Sequence, residues 1–192
     1  MKTYRDFLVE FVKNPQVIGA VAPSSRTLVN KMIERIDFEK VDVAVEYGPG
    51  SGRITRELLK RLKPGSTYFG IEINGLMVRN IRNNLPEATI YKDSVVNVSK
   101  YLEKHKKDHA DVIISGLPWA IFPNDMQKEI MGKTFDVLLE GGIFITYAYC
   151  HGTLLPAGKR FKYLLSEYFP SITKSSIALL NIPPAFVYHC EK

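Results

Sequence analysis

Cysteine is scarce in this sequence: Cys150 and Cys190 are the two in 192 residues. Neither stands at metal-ligand spacing, so a disulfide scaffold and a zinc module are both excluded, and no metal site is expected. The two thiols read as reduced and partly buried, as in a cytoplasmic protein. Long apolar runs are missing as well, and none approaches the ~18 residues that span a bilayer. Asp6 and Glu10 interrupt the apolar residues at the start, which removes the pattern of a signal peptide. The expectation is a soluble or peripheral cytoplasmic protein, sited on the inner face of the cytoplasmic membrane if it associates with lipid. Internal repeats and low-complexity linkers are also absent. So is an acidic excess: 26 Lys and Arg outnumber 20 Asp and Glu, for a net charge of +6. That balance favours an acidic partner, nucleic acid or an anionic membrane, without choosing between them. A well-solvated enzyme carries such a charge equally well.

What is present belongs to one globular domain. Hydrophobic residues make up 45% and charged residues 24% of the chain, enough for a full core and too apolar for disorder. Residues 1–38 read as an N-terminal helical extension. Thr3 to Lys13 places Tyr4, Phe7, Leu8, Phe11 and Val12 on one face, and Asn14-Pro15 stops it. Ser24 and Ser25 then offer N-caps for a helix from Arg26 to Ile36. From residue 39 onward, strands alternate with helices. Strands are expected at Val41 to Tyr47, Tyr68 to Ile73, Thr89 to Lys92, Asp111 to Ser115 and Ile143 to Ala148. Helices fall between them at Arg53 to Leu62, Leu76 to Asn84, Val95 to Lys104 and Asn124 to Leu138, with Gly141-Gly142 as a turn. A last helix, Gly158 to Tyr168, precedes strands Ser175 to Leu180 and Ala185 to Cys190. Four intervening residues are too few for a parallel crossover, so these two should form an antiparallel hairpin. The fold expected is α/β: a Rossmann-like, seven-stranded, mostly parallel sheet closed by a C-terminal antiparallel hairpin, with helices on both faces.

The strongest local signal is Val45-Glu46-Tyr47-Gly48-Pro49-Gly50-Ser51-Gly52, at a strand-to-helix junction. Gly48, Gly50 and Gly52 let the backbone turn sharply and approach a ligand closely. An acid directly before them suits a ligand cation, such as the amino group of a methionine moiety, better than a phosphate. Glu72 ends the second strand and can accept hydrogen bonds from both hydroxyls of a ribose. Asp93-Ser94 ends the third, where a carboxylate can accept from an adenine amino group or simply cap the next helix. Elements at three successive strand ends converge on the edge where open α/β sheets bind ligands. Ile73, Ser115 and Leu117 complete the expected cofactor-binding set.

This arrangement resembles class I, S-adenosylmethionine-dependent methyltransferases over almost the whole chain. A narrower resemblance, to bacterial phospholipid N-methyltransferases, rests on four stretches. They are residues 14–25 (Asn-Pro-Gln-Val-Ile-Gly-Ala-Val-Ala-Pro-Ser-Ser), the glycine loop, Ser115-Gly116-Leu117-Pro118-Trp119 with Phe122-Pro123, and Asn181-Ile182-Pro183-Pro184-Ala185-Phe186-Val187-Tyr188. The first and last are the more specific, because generic methyltransferases lack them. The resemblance implies S-adenosylmethionine as cofactor and phosphatidylethanolamine or a related aminolipid as acceptor. It also implies an anionic membrane surface as partner, reached through the amphipathic segment Thr3 to Lys13. Packing of that segment on the domain is the alternative.

Methyl transfer requires mainly that an amine nucleophile be aligned with the methyl group, and aromatic faces can hold the ammonium form. Trp119, Tyr147, Tyr149 and His151 are the candidate catalytic residues. Trp119 and Tyr147 are expected to face substrate, and Tyr149 with His151 to relay the proton. Core packing is the alternative for either tyrosine. A rival activity is adenine-N6 methylation of RNA, in which a loop ending Leu-Pro-aromatic stacks on the base and Lys100, Lys104, Lys106 and Lys107 meet phosphates. Nucleic acid is nevertheless the less favoured partner, because no helical domain follows the hairpin. A non-catalytic S-adenosylmethionine-binding module is a further alternative. A nicotinamide dehydrogenase fits less well, with an acid before the glycines and no second domain.

Overall fold

A computed structural model describes residues 25–192. The segment Thr3 to Lys13 and the turn after it lie outside the described residues. Runs of β-branched and aromatic residues without polar alternation form strands buried on both faces, as a central parallel sheet requires. β1 (Val43–Tyr47) is buried throughout and lies between β2 (Thr67–Glu72) and β4 (Ala110–Ser115), both parallel to it. With β3 (Ile90–Lys92), β5 (Leu138–Tyr149), β6 (Ser171–Lys174) and β7 (Ala185–Glu191), the sheet order is β3-β2-β1-β4-β5-β7-β6. β7 pairs antiparallel with β5 and with β6, and the other pairings among the described strands are parallel.

Among the described residues, six helices cover the two faces. On one side α1 (Arg26–Ile33), α2 (Arg53–Arg61) and α3 (Gly75–Asn84) bury Leu28, Met32, Leu58 and Ile81 against Ala44, Val112 and Ile145. On the other, α4 (Val98–Lys104), α5 (Asn124–Val137) and α6 (Pro156–Tyr168) bury Leu102, Ile130, Phe161 and Leu165 against Val45, Ile113 and Phe144. Helix starts follow local chemistry. The Ser25 hydroxyl accepts from the Leu28 N–H at 3.2 Å, Asn74 caps α3, and Pro156 opens α6, where its missing N–H costs nothing.

Two expectations change. The penultimate strand is Ser171–Lys174, earlier than the expected Ser175 to Leu180, so the hairpin is joined by residues 175–184 rather than by four residues. The aliphatic residues of this stretch face solvent: Ile177, Leu179, Leu180 and Ile182 are exposed, and the segment keeps the bridge Ala178 to Ala185. Two consecutive prolines at 183 and 184 supply no N–H for a ladder there. Gly141-Gly142 is not a turn before β5 but an irregularity inside it, where the pairing with β4 shifts register and Gly141 takes φ +76°.

Candidate active site

The C-terminal ends of β1, β2, β3 and β4 meet along one edge, and backbone contacts knit their loops together. The Gly48 N–H donates to the Ile71 carbonyl at 2.9 Å, and the Gly116 N–H donates to the Tyr47 carbonyl at 2.7 Å. Gly116 must be glycine: a Cβ there would sit 2.7 Å from the Gly48 carbonyl oxygen, so the loops after β1 and β4 pack backbone to backbone. Gly52, at φ +74°, is the left-handed residue from which α2 departs. Gly50 lies between them, also left-handed, and its N–H reaches Glu72 Oε2 at 3.1 Å.

The two glutamates differ in surroundings. Glu46 is fully buried, and its Oε2 accepts from Tyr68 Oη at 2.6 Å and Thr55 Oγ1 at 2.8 Å. Its Oε1 has no hydrogen-bond partner among the described residues. Burial chiefly, with the nearby Glu72 charge, raises the Glu46 carboxyl to about 7 against the lowering by its two hydroxyl donors. Burial and the glutamate together push the Tyr68 hydroxyl well up. Glu72 is 8% exposed; its Oε1 accepts from the Asn74 N–H at 2.8 Å while Oε2 takes Gly50. Burial raises its carboxyl too, opposed by these backbone donors. With backbone donors Asn74, Gly50 and Ile73 on the carboxylate, Glu72 still keeps acceptor capacity for a ligand hydroxyl. Ile73, beside it, packs partly buried against the core.

Asp93 is held by its own neighbourhood. Oδ1 accepts from the Ser94 N–H and Asn97 Nδ2, and Oδ2 from Tyr101 Oη at 2.6 Å and Lys100 Nζ at 3.2 Å. Burial pushes this carboxyl up, but the four donors outweigh it and hold it at about 2. The Ser94 hydroxyl caps the short turn Val95–Asn97 that leads into α4.

The loop after β4 is set by an indole. Trp119, expected to face substrate, is instead 2% exposed and turned into the core, stacked on Phe161 at 4.5 Å between ring centroids. Its Nε1 donates to Ser115 Oγ at 3.0 Å, and Gln127 Nε2 donates to its carbonyl at 2.7 Å. The reason is hydrophobic: Phe122, Phe144 and Phe161 surround it from three elements. Leu117 stays half-buried beside Gly48, its Cδ2 3.1 Å from where a Cβ on that glycine would lie. At the end of β5, Tyr147 and Tyr149 meet edge to face at 5.4 Å, and Tyr149 stacks on His151 at 5.7 Å. Burial, then Tyr149, raises the Tyr147 hydroxyl. Tyr147 and Tyr149 are half-buried, His151 exposed.

The structure therefore brings Glu46, Glu72 and the glycine loop together, with Asp93 at the neighbouring strand end. Trp119 lies across the sheet from Tyr147 and Tyr149. Thr55, Tyr68 and Tyr101 were missed. Thr55 is polar on the inward side of an amphipathic helix, a legible signal. Tyr68 reaches Glu46 only through the β1–β2 pairing, which no spacing reveals.

A sheet of this order, with one antiparallel strand next to last and an acid-glycine loop after β1, defines the class I methyltransferase fold. The profile of the family described as "Methyltransferase domain" matches residues 44–142, and the chain belongs to that family. Over 194 aligned residues it is 26% identical to an ornithine lipid N-methyltransferase of Singulisphaera acidiphila, covering 100% of this chain and 97% of that one. It is 30% identical over 127 residues to ribosomal RNA small subunit methyltransferase A of Mycoplasma capricolum, covering 64% of this chain and 45% of that protein. An O-methyltransferase from Bacillus cereus, solved in complex with SAH, superposes with a TM-score of 0.73 at 14% identity, covering 97% of this chain and 91% of that one.

Proposed function

We propose that this chain is an N-methyltransferase acting on the amino headgroup of a membrane lipid, phosphatidylethanolamine or an ornithine lipid. The observation that carries the reading is the end-to-end similarity to the ornithine lipid enzyme, which extends beyond the cofactor-binding half into the segment after β5. S-adenosylmethionine is the methyl donor, and when bound it supplies an activated methyl group on a sulfonium. Three features support the fit: Oε1 of Glu46 has no partner among the described residues and could meet an ammonium, Glu72 could accept from a ribose hydroxyl, and the glycine loop leaves room for a close approach. Asp93 with Ser94 is assigned to the adenine side, and Ile73, Ser115 and Leu117 to the walls.

The chain's own work is alignment and proton removal. Tyr147 and Tyr149 offer aromatic faces at the end of β5 for an alkylammonium, which must lose a proton before it attacks. His151, exposed and stacked on Tyr149, is assigned to pass that proton to water. Trp119 acts by packing, fixing the path of residues 115–119.

Transfer of radiolabelled methyl groups tests the proposal, with anionic liposomes containing phosphatidylethanolamine or ornithine lipid beside unmodified ribosomal RNA. Label in lipid is expected. Label in RNA alone would replace the reading by adenine-N6 methylation, which the partial similarity to the ribosomal RNA enzyme supports. Label in neither, with cofactor bound, would point to a non-catalytic module or another amine.

A further inference from the structure

Away from the strand ends that form the cofactor site, a cavity of about 810 Å³ opens between α6 and the β6–β7 edge of the sheet. Its size falls within the ~300–1,000 Å³ of ordinary ligand pockets. Its floor is apolar, made by Ile172 of β6 and Phe186 and Tyr188 of β7. Its rim is basic. Lys159 and Lys162, one turn apart on α6, stand on one side, and Lys174, the last residue of β6, on the other. Lys174 Nζ lies 5.4 Å from the centre of the Phe186 ring and 5.3 Å from that of Tyr188. No acidic residue lines the cavity, and none of the three lysines makes an ion pair among the described residues. Thr153, in the turn that follows β5, and Gly158, in the first turn of α6, also line it. Thr153 ties the groove to the turn His151–Leu154 at the end of β5.

An apolar floor under three cations without an ion-pair partner among the described residues selects a ligand that is apolar and anionic at once. A free phosphate would use the lysines and leave the floor bare, while a neutral hydrocarbon would leave the cations idle. We infer that this groove holds the phospholipid acceptor itself, with an acyl chain along Ile172, Phe186 and Tyr188 and the phosphodiester on Lys159, Lys162 and Lys174. The amine then projects past Thr153 toward the end of β5. This inference rests on the lipid reading of the acceptor and names the part of the lipid that the cofactor site does not bind.

The test needs no methyl transfer. Full-length protein is titrated against lysophosphatidylethanolamine carrying a fluorescent acyl chain, below its micelle concentration, and followed by anisotropy. The double variant Lys162→Glu/Lys174→Glu should bind at least tenfold more weakly. The control Lys128→Glu/Lys133→Glu, on α5, should match the wild type. All four positions are exposed, so thermal melts of both variants should stay near the wild type. Unlabelled lysolipid should displace the probe, and equimolar inorganic phosphate should not. Equal affinity in the two double variants would overturn the groove, and so would displacement by inorganic phosphate as effective as by lysolipid. If the probe binds as expected while liposomes accept no methyl, the groove stands and the acceptor reading falls. If liposomes accept methyl but the double variant binds the probe normally, the groove falls alone.

Discussion

Tyr68 Oη donates to Glu46 Oε2 at 2.6 Å, yet the other oxygen of the same buried carboxyl meets no donor among the described residues. The carboxyl is raised from 4.5 to about 7, mainly by burial. Its protonated form is therefore the one the fold prefers. The stability linked to that proton is complete below about pH 4.5 and is lost as pH rises through 7, on the order of 3 kcal/mol in all. Glu46→Gln, which mimics the protonated acid, should melt with the wild type at pH 5 and above it at pH 8. It should also bind S-adenosylmethionine more weakly at pH 8, because an ammonium needs the charge. A melting difference that is the same at both pH values would show that Glu46 does not titrate in this range.

Glu72 ties the end of β2 to the glycine loop through Gly50. Glu72→Ala should lower S-adenosylmethionine affinity by tenfold or more in isothermal titration. Glu34→Ala, at the exposed end of α1, should leave it unchanged. Equal affinities would remove Glu72 from the cofactor site.

Gly116→Ala would place a methyl 2.7 Å from the Gly48 carbonyl and push two loops apart. A loss of about 1–3 kcal/mol in denaturant unfolding is expected, together with weaker cofactor binding. Gly132→Ala, inside α5 with only the Tyr168 hydroxyl at 3.5 Å, should instead stabilise by about 0.5–1 kcal/mol. The opposite signs separate close backbone approach from helix propensity.

The Asp93 carboxyl is lowered to about 2 because four donors outweigh its burial. Its contribution is present above about pH 4 and is lost as pH falls through 2. Asp93→Asn should melt below the wild type at pH 7, and the gap should close as the pH is lowered from 4 to 2. A gap that persists at pH 2 would mean that the charge is not what stabilises this turn.

Deletion of residues 1–13 should reduce co-sedimentation with anionic liposomes and leave cofactor affinity unchanged. Undiminished sedimentation would assign the membrane contact to another surface.

Much of this protein is determined by its sequence taken alone. The β-branched runs at β1, β2 and β4 and the amphipathic periods between them dictate alternating strands and helices. Glu46, Gly48, Gly50, Gly52 and Glu72 sit at strand ends by chain position, so their convergence follows from the topology. Tertiary packing decided the rest. Trp119 reads as a loop aromatic free to meet substrate, but Phe144 and Phe161, distant in sequence, bury its ring together with the nearby Phe122. The stretch from Ser175 to Leu180 reads as a strand by composition, yet β7 pairs with Ser171–Lys174 instead. The α6 groove exists only because β6 and β7 bring Lys174, Phe186 and Tyr188 beside Lys159 and Lys162. In each case the deciding contact joins residues far apart along the chain, and local pattern carries no record of such a contact.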